Sequence, residues 1–282
     1  GPGRRVPSGH CLDSSPMDSS KYPEIIATHE RGGRKLLVQV LVVLALILLS
    51  GYYTGLLDAD RVLEGIPSIM ILMSESVPPN FDDIQNWITP LLDTLAMSVA
   101  GTALAIIFSV PLGLMAARNT TPHPIVFQVA RGILNVLRSI PELIMGIIFV
   151  AAVGFGALPG VLALGLHSIG MVGKFISESV EHVDVAPIEA AHAAGATRFQ
   201  VITHGVLTQV LPQIADVTIY RWEYNFRAST VMGMVGAGGI GFELMSSLRL
   251  MQYDEVSALL IVILVMVTIV DGIGVYLRKR FK

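Results

Sequence analysis

Three groups of residues in this chain have types and spacings that could do chemistry. Gly236, Gly238 and Gly241, within "VGAGGIG", fit the G-x-G-x-x-G spacing that cradles a dinucleotide pyrophosphate, and Asp254 lies near where a ribose-binding acid would be sought. Arg138, Glu142, Lys174, Arg221, Glu223 and Arg227 are charged residues in or beside apolar stretches, with Ser139, Asn225, Ser229 and Thr230 as hydrogen-bonding neighbours. Ionisable groups in such places mark a route for a polar solute through a membrane. The third group is "DVAPIEAAHAAGATRFQ", Asp184 to Gln200, whose alanines and glycine suggest a surface that another backbone can approach closely.

Composition decides what elements must carry these groups. Of the 282 residues 52% are hydrophobic and 15% charged, too little polar surface to cover a soluble globule of this length. The fold class is therefore all-α, a polytopic membrane protein. The formal net charge of −3 gives no basic face for nucleic acid, so no nucleic-acid partner is expected. The lone Cys11 excludes an internal disulfide, and no Cys/His cluster has zinc spacing, so no metal site is expected.

A helix needs about 20 apolar residues to cross the hydrocarbon core. Six segments qualify as transmembrane helices: 36–57, 92–116, 133–153, 159–177, 205–226 and 256–277. Gln209, Gln213, Asp216 and Arg221 interrupt the fifth, and Pro111 and Pro141 are expected to kink their helices. The domain reading follows: residues 1–35 are a disordered N-terminal segment, polar and rich in Gly, Pro and Ser, and 36–282 form the transmembrane domain. Gly1-Pro2 reads as a cloning remnant, with Met17 as a candidate native start.

Lys and Arg at the span ends set the orientation. Arg31, Arg34 and Lys35 precede the first span and Arg278, Lys279, Arg280 and Lys282 follow the last, so both termini are expected in the cytoplasm. The acidic loop 58–90, with "ADRVLEGIPSIMILMSES" as a short interfacial helix, then faces outward. The long loop 179–204 faces inward, and the glycines at 236, 238, 239 and 241 lie near the outer side.

That placement disfavours a cofactor loop. A dinucleotide site needs a buried strand before the glycines and a βαβ unit around them, yet Phe242 to Leu250 and a further span follow. Two readings remain for the run: a tight connector, or a mobile outer gate, since glycine permits positive φ and close backbone approach. In the inner loop, Asp184 can cap a helix that tolerates Pro187 in its first turn, and Gly195 can end it and turn the chain into a second helical segment. The alanine surface between them serves an intramolecular contact and a partner's groove equally well.

Glu189-Ala190-Ala191, followed after three residues by Gly195, resembles the EAA---G loop of permease subunits in bacterial ABC importers. The family pattern continues to I-x-L-P, where this chain has Gly205-Val206-Leu207-Thr208 and a Leu-Pro at Leu211-Pro212. "TLAMSVAGTALAIIFSVPLGLMAARNT", "LRSIPELIMGIIFVAAVG", "GVLALGLHSIGMVGKF" and "RWEYNFRASTVMGMVGAGGIGFEL" extend the likeness to the phosphonate-type permeases.

The resemblance implies a MetI-like core plus one preceding helix, in a bacterial inner membrane. It also implies a homodimer working with two ATP-binding subunits and an extracytoplasmic substrate-binding protein, to move phosphonate, phosphite or phosphate inward by alternating access. Glu189, Ala190, Ala191, Gly195, Ala196 and Thr197 would then couple to the ATPase, and Arg221, Arg227, Arg138, Glu142, Ser139 and Asn225 would border the translocation path. No cofactor is expected on this chain, because no G-x-x-x-x-G-K-[ST] occurs and ATP and Mg would sit on the partner.

Bland readings stand beside these. Arg138 and Glu142 have the i, i+4 spacing of a self-neutralising pair, Lys174 and Arg227 can snorkel, and His167 and Asp271 suit bundle-facing hydrogen bonds better than a proton relay. An ion-coupled secondary transporter and a membrane enzyme are the rival classes. No internal repeat supports the first, and the second lacks a nucleophile beside His192 or His204.

Overall fold

A computed structural model describes residues 22–281, so the expectations for Cys11, Met17 and the rest of 1–21 lie outside the described residues. Among the described residues there are eleven α-helices: α1 (Tyr22–Tyr53), α2 (Ala59–Glu75), α3 (Ile84–Met115), α4 (Pro124–Ser139), α5 (Glu142–Val153), α6 (Ala157–Glu181), α7 (Val185–Ala193), α8 (Arg198–Gln200), α9 (Leu207–Met232), α10 (Ile240–Arg249) and α11 (Tyr253–Phe281). Among the described residues there is no strand. Four helices are long and apolar enough to cross a bilayer, or up to six if each of two bent pairs forms one span.

Two expectations need correction. The segment read as disordered to residue 35 is helical from Tyr22. Once the apolar run 36–53 has nucleated a helix, extending it backwards adds one hydrogen bond for each residue fixed, even through polar sequence. The third span is not one rod over 133–153: α4 and α5 meet at an 88° bend. Pro141 has no N–H to donate and holds Ile140 in an extended conformation (ψ 121°), which stops α4. Pro111 lies inside α3, between Ile84 and Met115.

The described residues divide into two compact units, the first ending at residue 71 and the second beginning at residue 72. In the first, the apolar side chains of α1 from Leu36 to Leu49 are largely exposed, as suits a helix facing lipid. The second is built around α6, which packs against α3, α4, α5 and α9. Small residues let α3 and α6 approach closely. A Cβ on Gly101 would lie 3.1 Å from Leu164, and one on Gly113 would lie 2.7 Å from Ile176. The polar residues of α3 are tolerated inside because they bond back to their own helix: Thr94 Oγ1 to Pro90 O (2.9 Å), Thr102 Oγ1 to Ser98 O (2.7 Å) and Ser109 Oγ to Ala105 O (2.6 Å).

The interior of this unit is layered. One apolar cluster gathers Met97, Met145, Ala163, Leu164, Ala228 and Met232. Another gathers Val172, Ile176, Val180, Val206, Val210 and Ile214. Ser168 on α6, and Arg221 and Asn225 on α9, lie between the two clusters in chain order, so a polar layer divides an apolar core. The helices α6 and α9 both run past all three levels. At 1.5 Å per residue each spans about 38–39 Å, enough to link the two faces of a bilayer.

Candidate functional site

At one end of α6 and α9 lies the segment from α7 to α9. Asp184 caps α7 by accepting from Ala186 N–H at 3.1 Å. The helix stops in a Schellman turn: Ala196 N–H donates to Ala191 O and Gly195 N–H to His192 O, both at 3.0 Å, with Gly195 at φ +76°. Thr197 then opens α8 with a capping box, its own N–H donating to Gln200 Oε1 at 2.8 Å. A π-helical turn, Val201–Val206, carries the chain into α9. No residue of α7 is buried. Glu189, Ala190, Gly195 and Thr197 are exposed, Ala191 and Ala196 half-buried, and Phe199 is 75% exposed. A Cβ on Gly195 would meet nothing within 4 Å.

At the other end lies the glycine run, whose character is the opposite. It leaves α9 through a π-helical turn, Gly233–Ala237, and then enters α10 at a 57° bend. Gly236, Gly238 and Gly239 have φ of +102°, +75° and +74°, conformations that L side chains rarely adopt. The surroundings leave no space either. A Cβ on Gly236 would lie 2.7 Å from the Phe155 ring, and one on Gly241 would collide with the Thr230 carbonyl. Gly156 N–H donates to Gly236 O at 3.2 Å, joining the run to the turn between α5 and α6. Thr94 Oγ1 accepts from Ile240 N–H at 2.9 Å, so a side chain of α3 satisfies the start of α10. No strand precedes these glycines, which removes the context a dinucleotide site requires.

Between the two ends lies the polar layer. Arg221, 3% exposed, donates from Nη2 to Ser168 Oγ at 2.9 Å, and Ser168 donates to Asn225 Oδ1 at 3.0 Å. Asn225 Nδ2 donates to Thr102 Oγ1 at 2.9 Å. The Arg221 guanidinium stacks 4.3 Å from the Tyr224 ring centroid, a cation–π contact worth about 2 kcal/mol when desolvated. Tyr224 in turn donates its hydroxyl to Glu142 Oε1, and His167 Nε2 lies 3.4 Å from Glu142 Oε2. His167 Nδ1 is 3.1 Å from the carbonyl of Ile140, at the break between α4 and α5. Beside this layer a cleft of about 250 Å³ is lined by Glu142, Leu143, Tyr224, Arg227, Ala228, Val231 and Met232.

The family of binding-protein-dependent transport system inner membrane components matches residues 109–282, which include the α7–α9 segment, the polar layer and the glycine run. The chain belongs to this family. The permease is 63% identical over 270 residues to the phosphite transport system permease PtxC of Stutzerimonas stutzeri, covering 96% of this chain and 98% of that protein. It is 42% identical over 218 residues to the phosphate-import permease PhnE of Mycolicibacterium smegmatis, covering 77% of this chain and 41% of that protein. Its fold matches a chain of the MetNI methionine ABC transporter, solved in inward facing conformations, with a TM-score of 0.63 at 18% identity over 72% of this chain and 99% of that one.

The path residues expected from the permease's sequence separate into three groups. Arg221 and Asn225 are buried and join, through Tyr224, the half-buried Glu142 in one network across α3, α5, α6 and α9. Arg227 lies on the cleft and pairs with Asp271 on α11 at 2.8 Å. Arg138 and Ser139 are exposed on the last turn of α4, where Arg138 bonds Asn135 at 3.2 Å and Ser139 bonds Val136 O at 2.9 Å. The Arg138–Glu142 pair expected from spacing is not made, because the chain turns at Ile140–Pro141 and the two residues belong to different helices. Lys174 pairs with Glu178 at 2.9 Å, and Glu223, buried on α9, with Arg278 at 2.7 Å. Thr94, Thr102 and Ser168 escaped the sequence reading, since a hydroxyl in an apolar helix carries no periodic signal of its own.

Proposed function

We propose that this chain is the permease subunit of an ATP-driven importer of small phosphorus oxyanions: phosphonate, phosphite or phosphate. It works as a homodimer with two ATP-binding subunits, which hold the ATP and Mg, and with an extracytoplasmic binding protein. The observation that carries the reading is the α7–α8 segment. Its small side chains lie on a helix that its own chain leaves exposed, which is the shape a partner's groove can take. The substrate class is supported by the names of the two relatives, one a phosphite and one a phosphate permease.

In this reading both termini are cytoplasmic, placing α7 inside and the glycine run outside. Closure of the ATPase pair displaces α7, and α6 and α9 carry that displacement past the polar layer to the glycine end, switching a packed interface between two arrangements. The cleft beside Glu142, Tyr224 and Arg227 borders the path. There Arg227 offers a cation already partly neutralised by Asp271, so it can meet an oxyanion without trapping it. The buried Arg221 acts through Ser168, Tyr224 and Asn225, and touches the solute only if the layer opens.

Reconstitution in proteoliposomes with the ATPase and binding protein tests this. Phosphite, phosphate and methylphosphonate are offered separately, and at least one enters in an ATP-dependent manner. Ala191→Arg or Gly195→Arg leaves the permease folded but abolishes uptake and uncouples the ATPase. Normal uptake by both variants overturns the assignment of this segment, and uptake driven by an ion gradient without the ATPase overturns the importer reading.

A further inference from the structure

Gln209 interrupts an otherwise apolar stretch, and its side-chain amide makes three hydrogen bonds. Its Oε1 accepts from the backbone N–H of Asp184 at 3.0 Å. Its Nε2 donates to the carbonyl of the same Asp184 at 3.2 Å and to the carbonyl of Gly205 at 2.7 Å. Asp184 lies 25 residues earlier, and its own carboxylate caps α7. One amide therefore closes the neck of the whole loop that contains α7, α8 and the π-helical turn.

The neck is also held from its other side. Glu181, the last residue of α6, accepts from Arg131 Nη2 at 2.8 Å and from the backbone N–H of Arg118 at 3.0 Å, and Arg131 Nε donates to Ala116 O at 3.1 Å. The end of α6 is thus fixed to α4 and to the end of α3, while the start of α7 is fixed to the first turn of α9. Within the loop, Ile188 packs against the same cluster as Val206 and Val210.

We infer that Gln209 is a positioning residue for energy coupling, the clamp that makes α9 follow α7. The inference rests on the permease reading above and deepens it. Without the amide, the loop is joined to α9 only by the chain and the apolar packing of Ile188, and it can absorb a push by bending at the π-helical turn, where the hydrogen-bond register is already irregular. With the amide in place, the backbone at Asp184 and the first turn of α9 share one side chain, so displacement of α7 reaches α9 directly. A glutamine suits the task because it presents a donor and an acceptor side by side, matching the N–H and C=O of one residue.

The test compares the native complex with Gln209→Met and Gln209→Glu in proteoliposomes containing the ATPase and binding protein. Total phosphorus uptake from an equimolar mixture of phosphite, phosphate and methylphosphonate is divided by ATP hydrolysed. Methionine keeps the length and loses all three bonds. That variant retains bound ATPase subunits and their hydrolysis, while phosphorus moved per ATP falls about tenfold, within the usual range of coupling between sites. Glutamate, which keeps the acceptor and loses the donor, falls between. An unchanged ratio, or uptake and hydrolysis falling in proportion, overturns the clamp while native ATP-dependent uptake leaves the permease reading standing. Native uptake that ignores ATP overturns both.

Discussion

The two ends of the α6–α9 pair are both built on glycine and alanine, yet they are stabilised in opposite ways. The α7 end is exposed, its helices are finished by caps and a Schellman turn, and its positive-φ Gly195 borders open space. At the 233–241 end the glycines are mostly buried and three take positive φ, two of which, Gly236 and Gly239, would also drive a side chain into Phe155 or Thr94. The first end can accept another protein with little change to itself. The second holds a packed arrangement in which a side chain at Gly233, Gly236, Gly239 or Gly241 has no room.

Substitutions can sharpen or break that contrast. The largest effect is expected for Gly241→Val, whose side chain has no room against the Thr230 carbonyl. Overpacking costs typically about 1–3 kcal/mol, and more where the obstacle is backbone. Little monodisperse protein should survive detergent extraction in fluorescence-detected size exclusion, and a normal profile would show that the glycine end is looser than described. Gly195→Ala comes next. Holding a non-glycine residue in the left-handed region costs about 1–2 kcal/mol, seen as a lower unfolding temperature with the permease still assembled. If Gly195→Ala proved as damaging as Gly241→Val, the contrast between the ends would fail.

Removing the α7 cap with Asp184→Ala should cost about 1 kcal/mol and loosen the loop locally, read as faster amide exchange over 185–193 with little change in α9. The smallest stability effect is expected for Arg227→Ala, because its pair with Asp271 is nearly half exposed on both sides. Such pairs contribute about 0–1 kcal/mol. Uptake should nevertheless slow measurably, and unchanged uptake would remove Arg227 from the path.

Much of the α7 end was legible in the sequence because its devices are local. Asp184, Pro187, Gly195 and Thr197 act within a few residues of themselves, and the structure uses Asp184 as the cap and Gly195 as the turn that their types suggest. The glycine run was legible as irregular backbone for the same reason. The network of Arg221, Ser168, Asn225 and Thr102 was not, since its partners lie on three helices and only packing brings them together. The bend at Ile140–Pro141 was half visible: proline announced a kink, but its 88° angle separates Arg138 from Glu142, which spacing alone had placed on one face. Gln209 looked like a flaw in a span because its meaning depends on a residue 25 positions away.

In the proposed importer, the length of α9 bears on how small the ATPase stroke can be. At about 39 Å, a rigid rod of this kind rocked by only about 5° about its α7 end swings its glycine end by about 3 Å, close to the width of a water molecule. A modest tilt at the α7 end therefore suffices to make or break the fit of a whole glycine backbone against its neighbours. In the proposed importer, no large excursion at the ATPase would then be needed to change which side has access to the solute.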